Sequence, residues 1–277
     1  MSESSLSLEP IVPHQGWHVL HLFYRVDQSL WASLPEAAQA AGREALIDLI
    51  DSIRDEESAQ VLAFSMLTPK SDLGFMILTD DLHRANRYEK QLERALGPDV
   101  LVPTYSYLSM TELSEYTTTE ERYGESLVSE EGLEKDSAEY LQKIEEFKRR
   151  MAKYNSDRLH PNMPDWPVFC FYPMSKRRGE THNWYHLDFE KRRELMMGHA
   201  RVGRGYAGRV RQLITGSTGL DEMEWGVTLF SNNTQDIKEI VYEMRFDEVS
   251  ALYAEFGDFY IGLQIPLVEI LKRIGLA

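Results

Sequence analysis

The chain has 277 residues, of which 43% are hydrophobic and 27% are charged, proportions that are ordinary for a globular protein. Its formal net charge of −15 and pI of about 5.0 argue against nucleic acid as the main partner, because phosphate binding requires a basic surface. No apolar run approaches the roughly 20 residues that span a bilayer, residues 1–13 lack the pattern of an export signal, and the single cysteine, Cys170, fits a reducing compartment. We therefore expect a cytoplasmic protein with no membrane span.

After a polar arm at residues 1–15, the first half of the chain alternates between strand and helix patterns. Hydrophobic periodicity predicts a strand, a helix, two paired strands, a second helix and a closing strand, at residues 17–26, 35–53, 61–67, 74–79, 81–96 and 100–108. The second half repeats this order, at residues 168–172, 188–203, 210–216, 224–230, 234–245 and 256–264. Asp188 is predicted to cap the first helix of the second half.

The two halves also correspond in sequence at one strand. Gly74-Phe-Met-Ile-Leu-Thr-Asp-Asp and Gly226-Val-Thr-Leu-Phe-Ser-Asn-Asn each run from an apolar strand through a polar corner into a helix. We therefore predict an α+β fold of duplicated ferredoxin-like halves (the dimeric α+β barrel type), with antiparallel sheets flanked by helices. A single irregular α+β domain is the alternative. The predicted division is an N-terminal half at residues 1–116, a linker at 117–166 and a C-terminal, ligand-binding half at 167–277.

The predicted linker is acidic. Residues 119–147 contain ten acidic residues against Arg122, Lys135 and Lys143. Helical spacing over residues 137–151 makes a solvated, partly helical connection the expected structure. The final residues, 266–277, are expected to be an extension beyond the second half.

Charge is inverted in one part of the second half. Residues 171–211 contain ten Lys and Arg against four acidic residues, a net of +6 in a protein of net charge −15. A basic patch in an acidic protein indicates a specific anionic ligand rather than a polyanion.

His199 is a candidate metal ligand on the first helix of the second half. It shares a helix face with Leu195 and Val202, and a histidine on an apolar stripe is more often a packed core residue. No second ligand stands at metal-cage spacing, so a zinc site is not expected. A single axial bond to a haem iron needs only one histidine, since the porphyrin supplies four ligands.

Three other polar residues have both an ordinary and a functional interpretation. Gln212 alternates with the apolar Val210 and Ile214, so its amide either bonds to nearby backbone or faces a pocket. Tyr172 and Lys176 flank a turn at Pro173 and can reach one carboxylate together.

Two further residue types complete a possible ligand site. Arg158 is either a surface residue or a bidentate carboxylate clamp. Trp184 and Trp225 are core residues by default but could form aromatic walls. Together with His199, these residues suggest an iron porphyrin that carries propionates.

Several motifs resemble the coproheme decarboxylases, the haem-synthesis branch of the chlorite-dismutase-like superfamily. They are Cys170-Phe-Tyr-Pro-Met-Ser-Lys, Asn183-Trp-Tyr, Gly198-His, Gln212-Leu-Ile-Thr-Gly-Ser, Glu224-Trp-Gly-Val-Thr-Leu-Phe and Met244-Arg-Phe-Asp-Glu-Val-Ser-Ala. The resemblance covers most of residues 15–265 and is densest over the last hundred. Upstream, Thr104-Tyr-Ser-Tyr and Glu112-Leu-Ser-Glu-Tyr, which ends at Tyr116, match too, and the resemblance is weaker in the first ninety residues.

The resemblance implies a role for each matching residue. His199 would be the proximal iron ligand, Tyr172 the catalytic tyrosine whose radical oxidises a propionate, and Lys176 the lysine that assists it. Gln212 would be the distal glutamine of the firmicute-type enzymes. The other implied porphyrin-binding residues are Arg158, Tyr116, Met174, Trp184, Arg245 and Ser250.

The resemblance also implies a reaction and partners. Fe-coproporphyrin III (coproheme) would be both substrate and redox centre, hydrogen peroxide the oxidant and haem b the product. Family members are typically homopentamers, and a transient contact with a coproporphyrin ferrochelatase is expected.

Other functions remain open from the sequence. Chlorite dismutases carry a distal arginine where this chain has Gln212, and actinobacterial decarboxylases carry a distal histidine, which is absent at this position. A haem-binding carrier or sensor would use the same His199 without turnover. A structural α+β oligomer would bind no porphyrin.

Overall fold

A computed structural model describes residues 9–277, so residues 1–8 of the predicted arm lie outside the described part. The described chain forms two compact units. Residues 9–111 and 163–277 form the first unit, and residues 112–162 form the second. None of the helices between residues 9 and 277 is both long and apolar enough to cross a membrane.

One antiparallel sheet carries the first unit. Its strands in residues 9–277 are β1 (His18–Val26), β2 (Ala59–Leu67), β3 (Leu73–Thr79), β4 (Leu101–Thr111), β5 (Val168–Lys176), β6 (Val210–Gly216), β7 (Trp225–Ser231), β8 (Ala254–Phe256) and β9 (Tyr260–Gln264). The helices are α1 (Gln28–Ser33), α2 (Glu36–Arg54), α3 (Leu82–Ala95), α4 (Glu120–Ser129), α5 (Ala138–Leu159), α6 (Phe189–Gly205), α7 (Thr234–Met244), α8 (Glu248–Tyr253) and α9 (Leu267–Arg273).

The strand order confirms the predicted duplication. The first half has the order β4-β1-β3-β2 and the second the order β9-β5-β7-β6, which is the same ferredoxin-like order in both. The halves join at β2–β9 and at β4–β6, and β7 also pairs with β5. Eight strands therefore close into a ring, and short β8 extends the edge of β5.

The ring encloses an aromatic core and carries a second apolar layer outside. Phe64 and Phe169 stack inside the ring with their centroids 3.9 Å apart, although they come from different halves. The turn predicted at Pro173 was wrong, because β5 continues through Pro173 to Lys176 and stays paired with β7 there. Alternate residues of β5 face opposite sides, as the period of a strand requires. Phe169 and Phe171 thus lie inside, while Cys170 and Tyr172 pack outside with Ile237 of α7.

A side-chain cap explains where α6 begins. The Asp188 carboxylate accepts a hydrogen bond from the Lys191 amide at the start of α6, which confirms the predicted cap.

Cys170 is fully buried, and burial raises the pKa of its thiol to about 12, which fits the predicted role as a small apolar residue.

The strand prediction near the carboxyl end was wrong. The strand predicted at residues 256–264 is interrupted, because the Gly257 amide bonds to the Pro173 carbonyl at 2.8 Å and the chain leaves the sheet there. A Cβ on Gly257 would lie 2.7 Å from the Pro173 ring, so only glycine fits this approach. Residues 266–277 follow β9 and include α9, which buries Ile270 and Leu271 in the apolar layer of the first half.

The second unit is a pair of helices. Leu127 of α4 and Ile144 and Phe147 of α5 are buried, and Phe147 stacks on Tyr123 with centroids 4.3 Å apart. The helix predicted at residues 137–151 is present and continues to Leu159. The acidic residues lie mainly on the exposed faces of the two helices, as a solvated surface would have them.

The ring interior generates a stability prediction. Phe169→Ala removes a fully buried ring that touches both halves, so we expect a loss of about 3–5 kcal/mol in the free energy of unfolding. Phe246→Ala is the matched control, because Phe246 is 71% exposed, and it should change stability by less than about 0.5 kcal/mol. Urea unfolding followed by circular dichroism measures both. Equal effects of the two substitutions would contradict this account of the core.

Candidate functional site

Eight of the ten predicted site residues lie together in the first unit. They are on the outer face of the second-half sheet or on the helices that cover it: Tyr172, Met174, Lys176, Trp184, His199, Gln212, Arg245 and Ser250. Tyr116 and Arg158 lie in the second unit. There, Arg158 Nε donates a hydrogen bond of 2.8 Å to the carbonyl of Glu112.

A carboxylate holds the ring of His199. His199 Nδ1 lies 2.8 Å from Oδ2 of Asp247, the residue that caps α8. Asp247 also accepts hydrogen bonds from the amide and hydroxyl of Ser250, at 3.1 and 3.2 Å. Burial alone would raise the pKa of Asp247, but the hydrogen bonds from His199 and Ser250 outweigh it and lower that pKa.

The proton position on His199 follows from this contact. An ionised carboxylate can only accept, so Nδ1 carries a proton, and in the neutral imidazole Nε2 then carries the lone pair. Within residues 9–277, Nε2 makes no hydrogen bond, and the side chain is 26% exposed. A carboxylate-bonded histidine with a free, accessible second nitrogen is the arrangement used for metal ligation.

Tyr172 is a buried phenol between aromatic rings. The residue is 5% exposed, and its ring stacks on Phe259 with centroids 4.4 Å apart. Burial raises the pKa of Tyr172, and the nearby Arg245 offsets this only in part, so the phenol is neutral at ordinary pH. In the described part of the chain its hydroxyl has no hydrogen-bond partner.

Lys176 is a buried cation without a hydrogen-bonding acceptor. The residue is 8% exposed, and Nζ lies 4.7 Å from the centre of the Trp184 ring. Burial lowers the pKa of Lys176 to about 8, although Asp247 and Glu224 act against this. Across residues 9–277, Nζ forms neither an ion pair nor a hydrogen bond. Because a buried charge is costly unless paired, this lysine indicates an anionic ligand.

Glu224 fixes the backbone at Lys176 through hydrogen bonds. Its carboxylate accepts hydrogen bonds from the Lys176 amide at 2.7 Å and from the Tyr185 hydroxyl at 2.5 Å. The residue is 7% exposed. Both carboxylate oxygens are thus engaged, which fixes the end of β5 beside Trp184, the residue before Tyr185.

Gln212 has the ordinary partner that the sequence left open. Its side chain lies on the outer face of β6 between Val210 and Ile214, and Nε2 is 3.4 Å from the carbonyl of Gly203 on α6. A contact of this length is weak. The amide therefore lies beside the helix that carries His199 and could exchange this bond for another partner.

An apolar cavity of about 390 Å³ lies beside Tyr172. Its walls come from β5, α7 and β9 and include Cys170, Val241 and Phe259, with Arg245 at one side. The Arg245 guanidinium lies 4.7 Å from the centre of the Phe256 ring and forms no ion pair with the described residues. Of the predicted site residues, only Arg245 lines this cavity.

Asp247 and Glu224 were missed as site residues by reasoning from the sequence. Asp247 precedes Ser250 by three residues, a spacing typical of a helix cap, and this signal was available. Its pairing with His199, 48 residues earlier, was not visible without the fold. Glu224 acts 48 residues beyond Lys176 and carried no local signal.

Comparison with known proteins identifies the family. The model of the family named Chlorite dismutase matches residues 38–265. The chain belongs to the chlorite dismutase family.

Individual relatives extend the comparison. A coproheme decarboxylase of Staphylococcus carnosus is 38% identical over 254 residues, which cover 91% of this chain and 92% of that protein. A candidate heme-binding protein of Natronomonas pharaonis is 37% identical over 265 residues, which cover 95% of this chain but 41% of the relative. The chain thus spans less than half the length of the Natronomonas protein.

A solved structure shares the fold closely. It is described as a novel heme-binding protein from Thermus thermophilus, has 34% sequence identity and a TM-score of 0.78, and covers 96% of this chain and 98% of that one.

The effect of the buried Lys176 charge on folding stability can be measured without any ligand. Its pKa is about 8 in the folded protein against 10.5 unfolded, so the charge destabilises the fold fully below pH 8 and progressively less between pH 8 and 10.5. Lys176→Met should therefore raise the free energy of unfolding by about 1–3 kcal/mol at pH 7, and by much less above pH 10.5. Urea unfolding at both pH values tests this.

Lys135→Met is the control for this prediction, because Lys135 is exposed. It should change stability by less than about 0.5 kcal/mol. If Lys176→Met is no more stable than the parent at pH 7, burial of the Lys176 ammonium does not lower the free energy of unfolding, which would contradict this prediction.

Proposed function

We propose that the protein is an oxidoreductase of the coproheme decarboxylase type. It binds Fe-coproporphyrin III (coproheme) and uses hydrogen peroxide to convert two of its four propionates to vinyl groups, giving haem b. The observation that carries this proposal is the free Nε2 of His199 in the same site as the unpartnered Lys176 and Tyr172.

The chemistry of these donors fits an iron porphyrin. His199 offers one neutral nitrogen, which is what the fifth ligand of a haem requires. Lys176 and Arg245 are cations without ion pairs in residues 9–277, and they suit propionate carboxylates. Met174, Trp184, Gln212 and Ser250 would complete the porphyrin site. Tyr116 and Arg158 are further proposed propionate contacts.

The reaction balances with one peroxide for each propionate. R–CH2–CH2–COO− with H2O2 and H+ gives R–CH=CH2, CO2 and two H2O, so the propionate loses two electrons and the peroxide gains them. When bound, coproheme supplies the carboxylate that is lost and, with peroxide, the oxidising chemistry. The protein supplies binding, orientation and a place for the hydrogen atom.

Tyr172 and Lys176 have different roles at the propionate: Tyr172 takes a hydrogen atom, and Lys176 binds the carboxylate. Both are on the outer face of β5, four residues and about 13 Å apart along the strand. Because burial keeps Tyr172 protonated, its hydroxyl can lose a hydrogen atom and then take one from the propionate chain. Lys176 holds the carboxylate, whose negative charge would restore the ammonium form of this lysine.

The relatives support this proposal over its rivals. The relative from Staphylococcus carnosus, which matches over nearly the whole length of both chains, is named a coproheme decarboxylase. A chlorite dismutase is the alternative enzyme, but the neutral amide of Gln212 would stabilise an oxychlorine anion less well than a cation would. A haem-binding carrier or sensor would use His199 in the same way but would not use Tyr172.

Further proposals rest on the resemblance to the coproheme decarboxylases. We propose a homopentamer of two-halved subunits, divided at residues 1–116, 117–166 and 167–277, with the porphyrin in the C-terminal half. We also propose a cytoplasmic location, which the single free cysteine favours, and a transient contact with a coproporphyrin ferrochelatase that delivers the substrate.

The decisive variant is Tyr172→Phe. It should still bind coproheme, at most about tenfold more weakly through loss of the proposed hydrogen bond from the hydroxyl to a propionate, but it should form vinyl product on the order of a hundredfold or more slowly. Coproheme is titrated into the protein, peroxide is added in single equivalents, and the porphyrin mass is read after each. Tyr154→Phe is the matched control, because Tyr154 is 43% exposed and is not a predicted site residue, and it should behave as the parent does.

Three outcomes separate the candidate functions. Loss of two carbon dioxide units from the parent protein supports the decarboxylase, and bleaching without product supports a carrier. Rapid evolution of oxygen from chlorite would support a dismutase. Normal haem b yield from Tyr172→Phe would remove Tyr172 from its role.

A further inference from the structure

A turn after β5 brings three cations to one pocket. The basic turn, residues 176–184, begins at Lys176 and continues through Arg177 and Arg178. Together with Gly179 and Glu255, these three residues line an open pocket of about 500 Å³. Arg177 and Arg178 are exposed, whereas Lys176 is 8% exposed.

Backbone contacts fix the shape of the basic turn. The Arg177 amide donates to the Tyr253 carbonyl at 2.7 Å, and the Trp184 amide donates to the Arg177 carbonyl at 3.0 Å. Arg178 and Asn183 form a β-bridge, and the Gly179 amide bonds to the His182 carbonyl at 3.1 Å. The pocket is therefore held in place before any ligand arrives, which lowers the entropic cost of binding.

The cations of this pocket have no ionic partners. Among residues 9–277, the side chains of Lys176, Arg177 and Arg178 form no salt bridge, although the protein has 45 acidic against 30 basic residues. Glu255 is the one acidic residue that lines the pocket, and it forms no ion pair with the described residues either. The lining therefore has a net charge of +2, from three cations and one carboxylate.

We propose that the basic turn is a carboxylate-recognition subsite that distinguishes the porphyrin substrate from its product by charge. The proposal rests on the proposed function. The pocket shares Lys176 with the proposed decarboxylation site, so it adjoins the propionates that are lost. Arg177 and Arg178 attract a porphyrin that still has these carboxylates. This attraction weakens once vinyl groups replace the carboxylates.

This arrangement would serve both capture and release. A protein of net charge −15 repels a substrate with four carboxylates, and a local cluster of cations offsets this repulsion at the pocket. Haem b has two fewer carboxylates than coproheme, so it gains less from the cluster. Decarboxylation itself then favours exchange of product for substrate.

The test compares two porphyrins in one double variant. Arg177→Gln with Arg178→Gln should raise the dissociation constant of coproheme about two- to thirtyfold, as expected for two exposed charge pairs, and that of haem b by less than about twofold. Soret titrations measure both constants. The loss for coproheme should shrink at an ionic strength of about 1 M, where the Debye length is about 3 Å.

A charge-matched control isolates position from net charge. Arg25→Gln with Lys272→Gln removes two exposed charges that do not line the pocket, and both porphyrins should bind as they do to the parent. Equal losses for coproheme and haem b in the turn variant, or no loss for either, would overturn the subsite. If the parent binds both porphyrins but peroxide gives no vinyl product, the proposed function fails while the ratio of constants still decides the subsite. Failure of the parent to bind either porphyrin would overturn both proposals.

Discussion

The hydrogen bond from His199 Nδ1 to Asp247 is the contact on which the candidate site depends. It places a proton on Nδ1 and fixes the orientation of the ring. The second nitrogen, Nε2, stays accessible, and its lone pair in the neutral ring could bind a metal. Asp247 can do this because it caps α8, where the Ser250 amide and hydroxyl keep the carboxylate ionised. The same residue thus caps α8 and orients His199, so the position of α8 relative to α6 determines which nitrogen of His199 stays accessible.

The burial of Lys176 costs stability, and other polar groups of the site also lack protein partners within residues 9–277. Lys176 is buried without an acceptor, Tyr172 is buried without a hydrogen-bond partner, and the cations of the basic turn lack ion pairs within residues 9–277. Such groups persist where a ligand completes them, and active sites commonly lower stability for this reason. Glu224 holds the end of β5 through two hydrogen bonds, and the closed ring holds β5 from both sides. The paired strands on both sides of β5 therefore hold these side chains in position for the porphyrin that we propose as the ligand.

The sequence predicted the elements well where periodicity was strong, and less well where long-range contacts decide the structure. The repeated strand and helix patterns predicted the duplicated fold, and the Gly74 and Gly226 strands are equivalent in the ring. The break before Tyr260 depends on the close approach of Gly257 to Pro173, and α9 forms by packing on the distant first half. Likewise His199, Gln212 and Tyr172 stood out locally, whereas Asp247 and Glu224 gain their roles from partners 48 residues away.

The most direct test of the account is a crystal structure of the protein with ferric coproheme. We predict that His199 Nε2 binds the iron, that Nδ1 keeps its hydrogen bond to Asp247, and that one propionate lies within about 2.6–3.2 Å of both Tyr172 Oη and Lys176 Nζ. Iron bound to any other residue, or a Tyr172 hydroxyl directed away from every propionate, would contradict the account.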